Sequence, residues 1–509
     1  MIRSIVRSSL GYRFLVVVLA GALLIGGMTR LRQMPVDILP EFSAPYVEVQ
    51  TEALGLSAQE VEQLITVPLE QDLLNGVPWL QTIQSNSVPG LSSIVLVFEP
   101  GTDLYRARQM VSERMTQAFA LPHVSKPPNI IQPVSSASRF MIVGLSSKSL
   151  SLIEMSVLAR WTIVPRLMGV PGVSNVAIWG NRDRQLQVQI DPNRLRDHNI
   201  SLLQVLETTG NALWVSSLSF VEASTPGTGG FIDTAQQRLG IRHISPIVTS
   251  ETLAEVPIED TGVHLGDVAN VVEDHQPLIG DALANDNASL LLVIQKFPGA
   301  NTLNVTQGVE SALEELQPGM TGLEMDSSIF RPADFIQAAV QNLGLAMLIG
   351  LLLIALVLAA YFFNWRSLLI SLITIPLSLL AAVFVLYLRG TTINAMIFAG
   401  LMAALAVIID DAIVDVDHIQ RRLHQQRQEG DPRPVMERIA QATLELRSPL
   451  LYAFLILLLA AVPVYFIGGE AGAFFRPLAA TYALAILASM LVALTVTPAL
   501  CLTLMANQS

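Results

Sequence analysis

The hydrophobic positions of this chain fall into two regimes. Six runs without a charged residue, at 14–29, 335–365, 367–388, 390–409, 448–469 and 477–509, meet or approach the roughly 20 helical residues needed to cross about 30 Å of hydrocarbon. The first run is the shortest, but Arg13 and Arg30 flank it and can snorkel. No small-residue cleavage site follows it, so it reads as an uncleaved anchor. Between the first and second runs the period changes. Residues 46–51 alternate as a strand, and Ser57 with Glu60 forms a capping box that opens an apolar-periodic helix through about Leu74. A strand at 92–98 and a helix at about 103–120 follow. The pattern then returns: a strand at 141–145, a capping box at Ser151 and Glu154 with a helix to about Met168, strands at 173–179 and 185–190, a strand at 289–295 and a helix after Asn301. Two split strand-helix-strand subdomains account for this order. The TPGTGG stretch at 225–230 reads as a projecting hairpin tip, within an inserted lobe near 191–275.

Composition agrees with a membrane chain. Of 509 residues, 51% are hydrophobic and 14% charged, and the mean hydropathy is +0.51, which is too apolar for an ordinary soluble protein. A single cysteine, Cys501, excludes an internal disulfide framework. With 30 Lys and Arg against 42 Asp and Glu, the chain lacks the basic footprint of a nucleic-acid binder. The arginines are placed unevenly. Arg3, Arg7 and Arg13 precede the first run, and Arg421, Arg422, Arg427, Arg433, Arg438 and Arg447 lie between the fourth and fifth. The positive-inside rule puts both segments in the cytoplasm and residues 31–334 outside.

The chemistry concentrates at the end of the fourth run, AVIIDDAIVDVDHIQRRL at 406–423. An ionisable residue inside a span costs roughly 2.5–3.5 kcal/mol on insertion scales and marks a functional site by default. On a helix Asp410 and Asp417 share one face, while Asp411, Asp415 and His418 share a second about 100° away. A helix beginning near Gly390 places Asp410 about 30 Å along it, towards the cytoplasmic side, where Asp415, Asp417 and His418 also fit a solvated interface. Two close carboxylates cannot both carry charge cheaply in a low dielectric, which suits a site that takes up and releases one proton. The histidines at 123, 198, 243, 264 and 275 show no paired ligand spacing, and Met110, Met115, Met155 and Met168 fit helix packing. No Walker loop, GxSxG or HExxH motif occurs, so no enzymatic reaction and no cofactor is expected.

Ordered motifs then point to a family. PVDILPEF at 35–42, TEALGLSAQEVEQLITVPLE at 51–70, VFEPGTDLYRARQMVSERM at 97–115, VPGVSNVAIWG at 170–180, QLQVQIDPNRL at 185–195, IDDAIVDVDHIQRRL at 409–423, and FFRPLAATYALAI with LTVTPAL near the end resemble the N-terminal half of a resistance-nodulation-division transporter, closest to the heavy-metal efflux branch. The resemblance covers essentially the whole chain. It implies an α-helical membrane protein with six transmembrane helices and a large α+β periplasmic domain of ferredoxin-like subdomains, in the bacterial inner membrane. The expected organisation is a first helix at 1–30, the periplasmic pore and docking domain at 31–334, helices two to four at 335–417, a cytoplasmic amphipathic segment at 418–447, and helices five and six at 448–509.

The resemblance further implies export driven by the proton motive force, with Asp410, Asp411 and Asp417 as the proton-translocating carboxylates. Asp417 stands where the family usually has Glu. Copper-exporting relatives line the path with methionines. Met396 stands at one such place, a candidate for the substrate path, whereas Ile408 and Asp415 occupy others, so a thioether relay is not expected. No metal ligands are assigned. The family's neutralising Lys belongs to a second half, so this chain alone is expected to lack the counter-charge. Its expected partners are that second half, supplied by a second copy or by a separate chain, a periplasmic adaptor and an outer-membrane channel, with the lipid bilayer around it. The alternative is a non-transporting membrane subunit that docks periplasmic adaptor proteins.

Overall fold

The computed structural model describes residues 2–505 apart from 32, 38, 117–125, 136, 214–230, 241–246, 248, 259–260, 285–286, 363 and 430–432. The TPGTGG tip, His123, His243 and the end of the helix expected at 103–120 lie outside the described residues. Two four-stranded antiparallel sheets organise the segment between the first and second long helices. In the first, the spatial order is Leu80–Val88, Leu91–Phe98, Tyr46–Glu52, Asn129–Ile130. Val47 and Val49 alternate inward from the Tyr46–Glu52 strand to meet Ile94, Leu96 and Phe98 of its neighbour. One face of the sheet is thereby closed by helices over 58–74 and Leu104–Met115.

The second sheet repeats this connectivity with the order Leu323–Phe330, Arg139–Ser147, Leu290–Lys296, Val173–Trp179. Phe140, Leu145, Met155, Ile163, Leu292 and Val309 lie in its core. Both expected capping boxes form: Ser57 and Glu60 start one helix, Ser151 and Glu154 the other. Each of those helices then widens into one π-helical turn, Glu62–Thr66 and Ala159–Ile163, just before a Val-Pro pair. Proline has no N–H to donate, so the ladder relaxes by one residue ahead of it. Strands Arg184–Ile190 and Ala269–His275 pair separately and share a small core with Val205, Leu253 and Leu265.

Among the described residues, five helices are long and apolar enough to cross a membrane: Arg13–Leu31, Pro332–Phe362, Trp365–Leu388, Ala395–Gln428 and Gly469–Met505. A sixth candidate is a pair, Val435–Arg447 and Pro449–Tyr465, bent by 44°, the bend falling where Pro449 breaks the hydrogen-bond ladder. Val6 and Leu10 of a short preceding helix, Ile2–Gly11, join the bundle core. In place of a separate amphipathic element over 418–447, the charged segment is shared between the end of the Ala395–Gln428 helix and the start of the next at Val435.

The motif PVDILPEF ties the two regions together. Its Pro35 carbonyl accepts from Ile393 N at 2.8 Å and Asp37 N donates to Ile393 O at 2.9 Å. The Asp37 carboxylate takes Lys296 Nζ at 2.7 Å and Thr302 Oγ1 at 3.1 Å. The residue after Ile393 is Asn394, the N-cap of the aspartate-bearing helix.

Candidate functional site

Asn394 opens that helix by accepting from Met396 N and Ile397 N at 3.1 and 3.0 Å. The helix therefore starts five residues later than the apolar run and continues to Gln428, 34 residues in all. Asp410 and Asp411 consequently sit about 24 Å from its start, near its middle, and not towards one end. Ile397, Gly400, Ala404, Ile408, Asp411, Asp415 and Ile419 form one buried stripe facing the Gly469–Met505 helix. Gly400 permits the approach, because a Cβ there would lie 2.6 Å from the Leu478 carbonyl oxygen.

The carboxylates divide between faces. Asp411 is 7% exposed and accepts from Ser489 Oγ at 3.2 Å. Asp415 is 1% exposed, so it is not the solvated interfacial residue the sequence suggested: it lies one turn along the same buried stripe. Its Oδ2 accepts from Arg447 Nη2 at 2.7 Å, and that nitrogen also donates to Ala493 O at 3.0 Å. Asp415 thus has a cation within this chain, distinct from the counter-charge expected from a second half. Asp410 lies on a neighbouring, exposed face about 100° away. Asp417 is half-buried and paired with Arg421 at 2.8 Å, four residues on. Met396 lies about 21 Å along the helix from Asp410, so the structure does not bring it to the aspartates.

Arg447 is the residue that the sequence reading missed. The positive-inside rule places it among the cytoplasmic arginines, yet it sits at the bend of its helix with its side chain inside the bundle. Its signal was its place as the last charge before an apolar stretch that runs to Gly469. Beyond it, His418 Nε2 stands 3.6 Å from Glu445 Oε2, which accepts from Arg422 Nε at 2.8 Å.

Among the described residues no group of three His, Cys, Asp or Glu side chains is arranged to hold a metal ion. A cleft between the two sheet units is lined by Lys126, Arg160, Arg182 and Arg184. Each is paired with a carboxylate, respectively Glu52, Asp183, Asp281 and Glu273, so the cleft presents no unbalanced positive charge to an anion.

Residues 5–509 match the model of the AcrB/AcrD/AcrF family. The chain belongs to the AcrB/AcrD/AcrF family. Within it, this chain is 27% identical to Protein HelA of Legionella pneumophila, over 98% of this chain and 47% of that protein. It is 30% identical to the putative cation efflux system protein SilA of Salmonella typhimurium, over 98% of this chain and 48% of that protein. Its fold matches a solved heavy metal efflux pump, crystal form I, with a TM-score of 0.81 at 25% identity, covering 99% of this chain and 49% of the pump. The chain spans about half the length of the relatives it matches. SilA and the solved pump are named for efflux and not for an enzymatic reaction, and the resemblance to the heavy-metal efflux branch read from the motifs holds.

Proposed function

We propose that this chain is one half-unit of a proton-driven efflux transporter of the resistance-nodulation-division type, acting in the inner membrane on metal cations or small molecules. The observation that carries the reading is the pair of carboxylates, Asp411 and Asp415, buried near the middle of a 34-residue helix inside an apolar bundle. Burying carboxylates there is costly and is retained where protons or ions move. Counting the bent pair as one crossing gives six spans, with residues 31–334 periplasmic and both arginine-bearing segments cytoplasmic. The strand order of the two sheet units supports ferredoxin-like subdomains. Asp410 lies on an exposed face, where a second half, either a second copy or another chain, would meet it. The family resemblance adds a periplasmic adaptor and an outer-membrane channel.

Asp410, Asp411 and Asp417 are the proposed proton-translocating residues, with Asp417, already held by Arg421, the least important. In membrane vesicles under an imposed pH gradient, loaded in turn with Zn(II), Co(II), Cu(I) and Ag(I), Asp410→Asn and Asp411→Asn are expected to lower export at least tenfold. Asp417→Asn should cost less. The protein's abundance in the membrane should not change, since Asn keeps the shape and removes only the titration. Export unchanged by Asp410→Asn and Asp411→Asn would overturn the proton-carrier reading.

A further inference from the structure

Arg447 has more hydrogen-bonding capacity than the structure uses. A guanidinium carries five N–H donors in a rigid fork. Only Nη2 is engaged, while Nε, Nη1 and the Asp415 Oδ1 atom have no hydrogen-bond partner among the described residues. A purely architectural ion pair, this deeply buried, would be expected to saturate its donors, because each unmet polar atom is a cost. Two other features bear on the same group. Asp411 lies four residues before Asp415, so their Cβ atoms are about 5–6 Å apart on one face. Arg447 is also the last residue of the limb that precedes the bend, so small changes in the bend move the guanidinium along that face.

Resting on the proton-driven reading above, we propose that Arg447 is a positioning residue: it holds Asp415 as a fixed anion, which leaves Asp411 as the carboxylate of the buried stripe that gains and loses the proton. When Asp411 gives up its proton, the unengaged N–H groups of the same guanidinium turn to it. On release the O–H bond at Asp411 breaks and an O–H bond forms on a water molecule that carries the proton away; on loading the same transfer runs in reverse, and nothing is oxidised or reduced. The cation then serves both anions at once, Nη2 on Asp415 and the formerly unengaged N–H groups on Asp411, without leaving the bundle. The titratable and charged groups that face Asp411 and Asp415 are Asp410 and His418 on their own helix, Arg447 on the bent helix and Cys501 on the last helix.

Dicyclohexylcarbodiimide, which reacts with protonated carboxyls in apolar surroundings, tests this on the protein in native membrane vesicles at neutral pH. Peptide mass spectrometry locates the adduct. The unmodified protein should label at Asp411 and not at Asp415. Arg447→Gln should bring label to Asp415, and Arg447→Lys, which keeps the charge, should prevent it. Asp415→Asn should reduce labelling of Asp411 at least tenfold, because the freed guanidinium moves to it; this variant keeps the inference falsifiable if Arg447→Gln does not assemble. A structural role alone would leave Asp411 labelling unchanged in Asp415→Asn. That result, or label at Asp415 in the unmodified protein, overturns the inference. If Asp411→Asn still stops export in that case, the transport reading stands without Arg447. If Asp411→Asn exports normally, both fall.

Discussion

Lys296 is fully buried, yet its ammonium finds Asp37 at 2.7 Å and the Ala300 carbonyl at 3.0 Å. Removing one partner of a buried pair strands the other charge and costs about 3–5 kcal/mol, whereas replacing both with apolar groups is often close to neutral. Asp37→Asn should therefore lower unfolding stability by about that amount, and Asp37→Leu with Lys296→Met should recover most of it; denaturant unfolding of the purified protein decides. The capping boxes give a pH signature. Hydrogen bonds from Ser57, hydroxyl first, hold the Glu60 carboxyl below its usual value, and those from Ser151, backbone N–H first, do the same for Glu154. A carboxyl depressed in the folded state contributes stability that is complete above the unfolded value, about 4.3, and is lost as pH falls through the lower folded one. Amide exchange protection in Leu152–Leu158 should thus weaken on acidification below about pH 4.3, and Ser151→Ala should weaken it at neutral pH. Sequence exposed these caps because Ser and Glu three apart is a local rule. It did not expose the pairing of Arg447 with Asp415, because 32 residues separate them and only the fold decides which arginine of a basic segment turns inward.

Long helices and central strands are visible in a sequence to the extent that burial imposes a period. The alternation at residues 173–179 predicts a strand, and one forms with those bounds. The pattern does not predict the strands Leu80–Val88 and Leu323–Phe330. Both are edge strands, with LQTIQSNSV and LEMDSSIF showing too little alternation, since an edge strand buries less on either side. Helix starts shifted for a related reason: Asn394 sets the beginning of the aspartate helix through its side chain, whereas hydropathy begins the run at Gly390. The crossing of that helix with Gly469–Met505 depends on an absent side chain. A Cβ at position 400 would meet Leu478 O at 2.6 Å and Thr481 Cβ at 3.1 Å, and backbone cannot yield as a flexible side chain does. Gly400→Val should cost about 1–3 kcal/mol through overpacking. Thermal unfolding in detergent should show it, and the separation of the two helices should displace Ser489 from Asp411, lowering export as well.

At the scale of the molecule, the bundle has one exposed face that does not look built for lipid. Ala399, Ala403, Ala406, Asp410 and Val414 lie exposed along the aspartate helix at spacings of three and four, so they form one stripe. Three small residues allow another helix to approach closely, and a carboxylate left in hydrocarbon would cost roughly 2.5–3.5 kcal/mol. By contrast, the exposed surface of Pro332–Phe362 is dominated by Leu345, Leu348, Leu352 and Leu356, which lipid solvates without cost. The stripe is therefore where the proposed second half should pack, whereas the leucine-rich face should remain outside. Ala406→Trp would then separate the halves: native mass spectrometry should show loss of the assembled species, and export should fall at least tenfold. Leu356→Trp, an equally large change on the lipid face, should leave both intact. Equal tolerance at the two positions would mean that lipid covers both faces and that Asp410 takes its partner from another quarter.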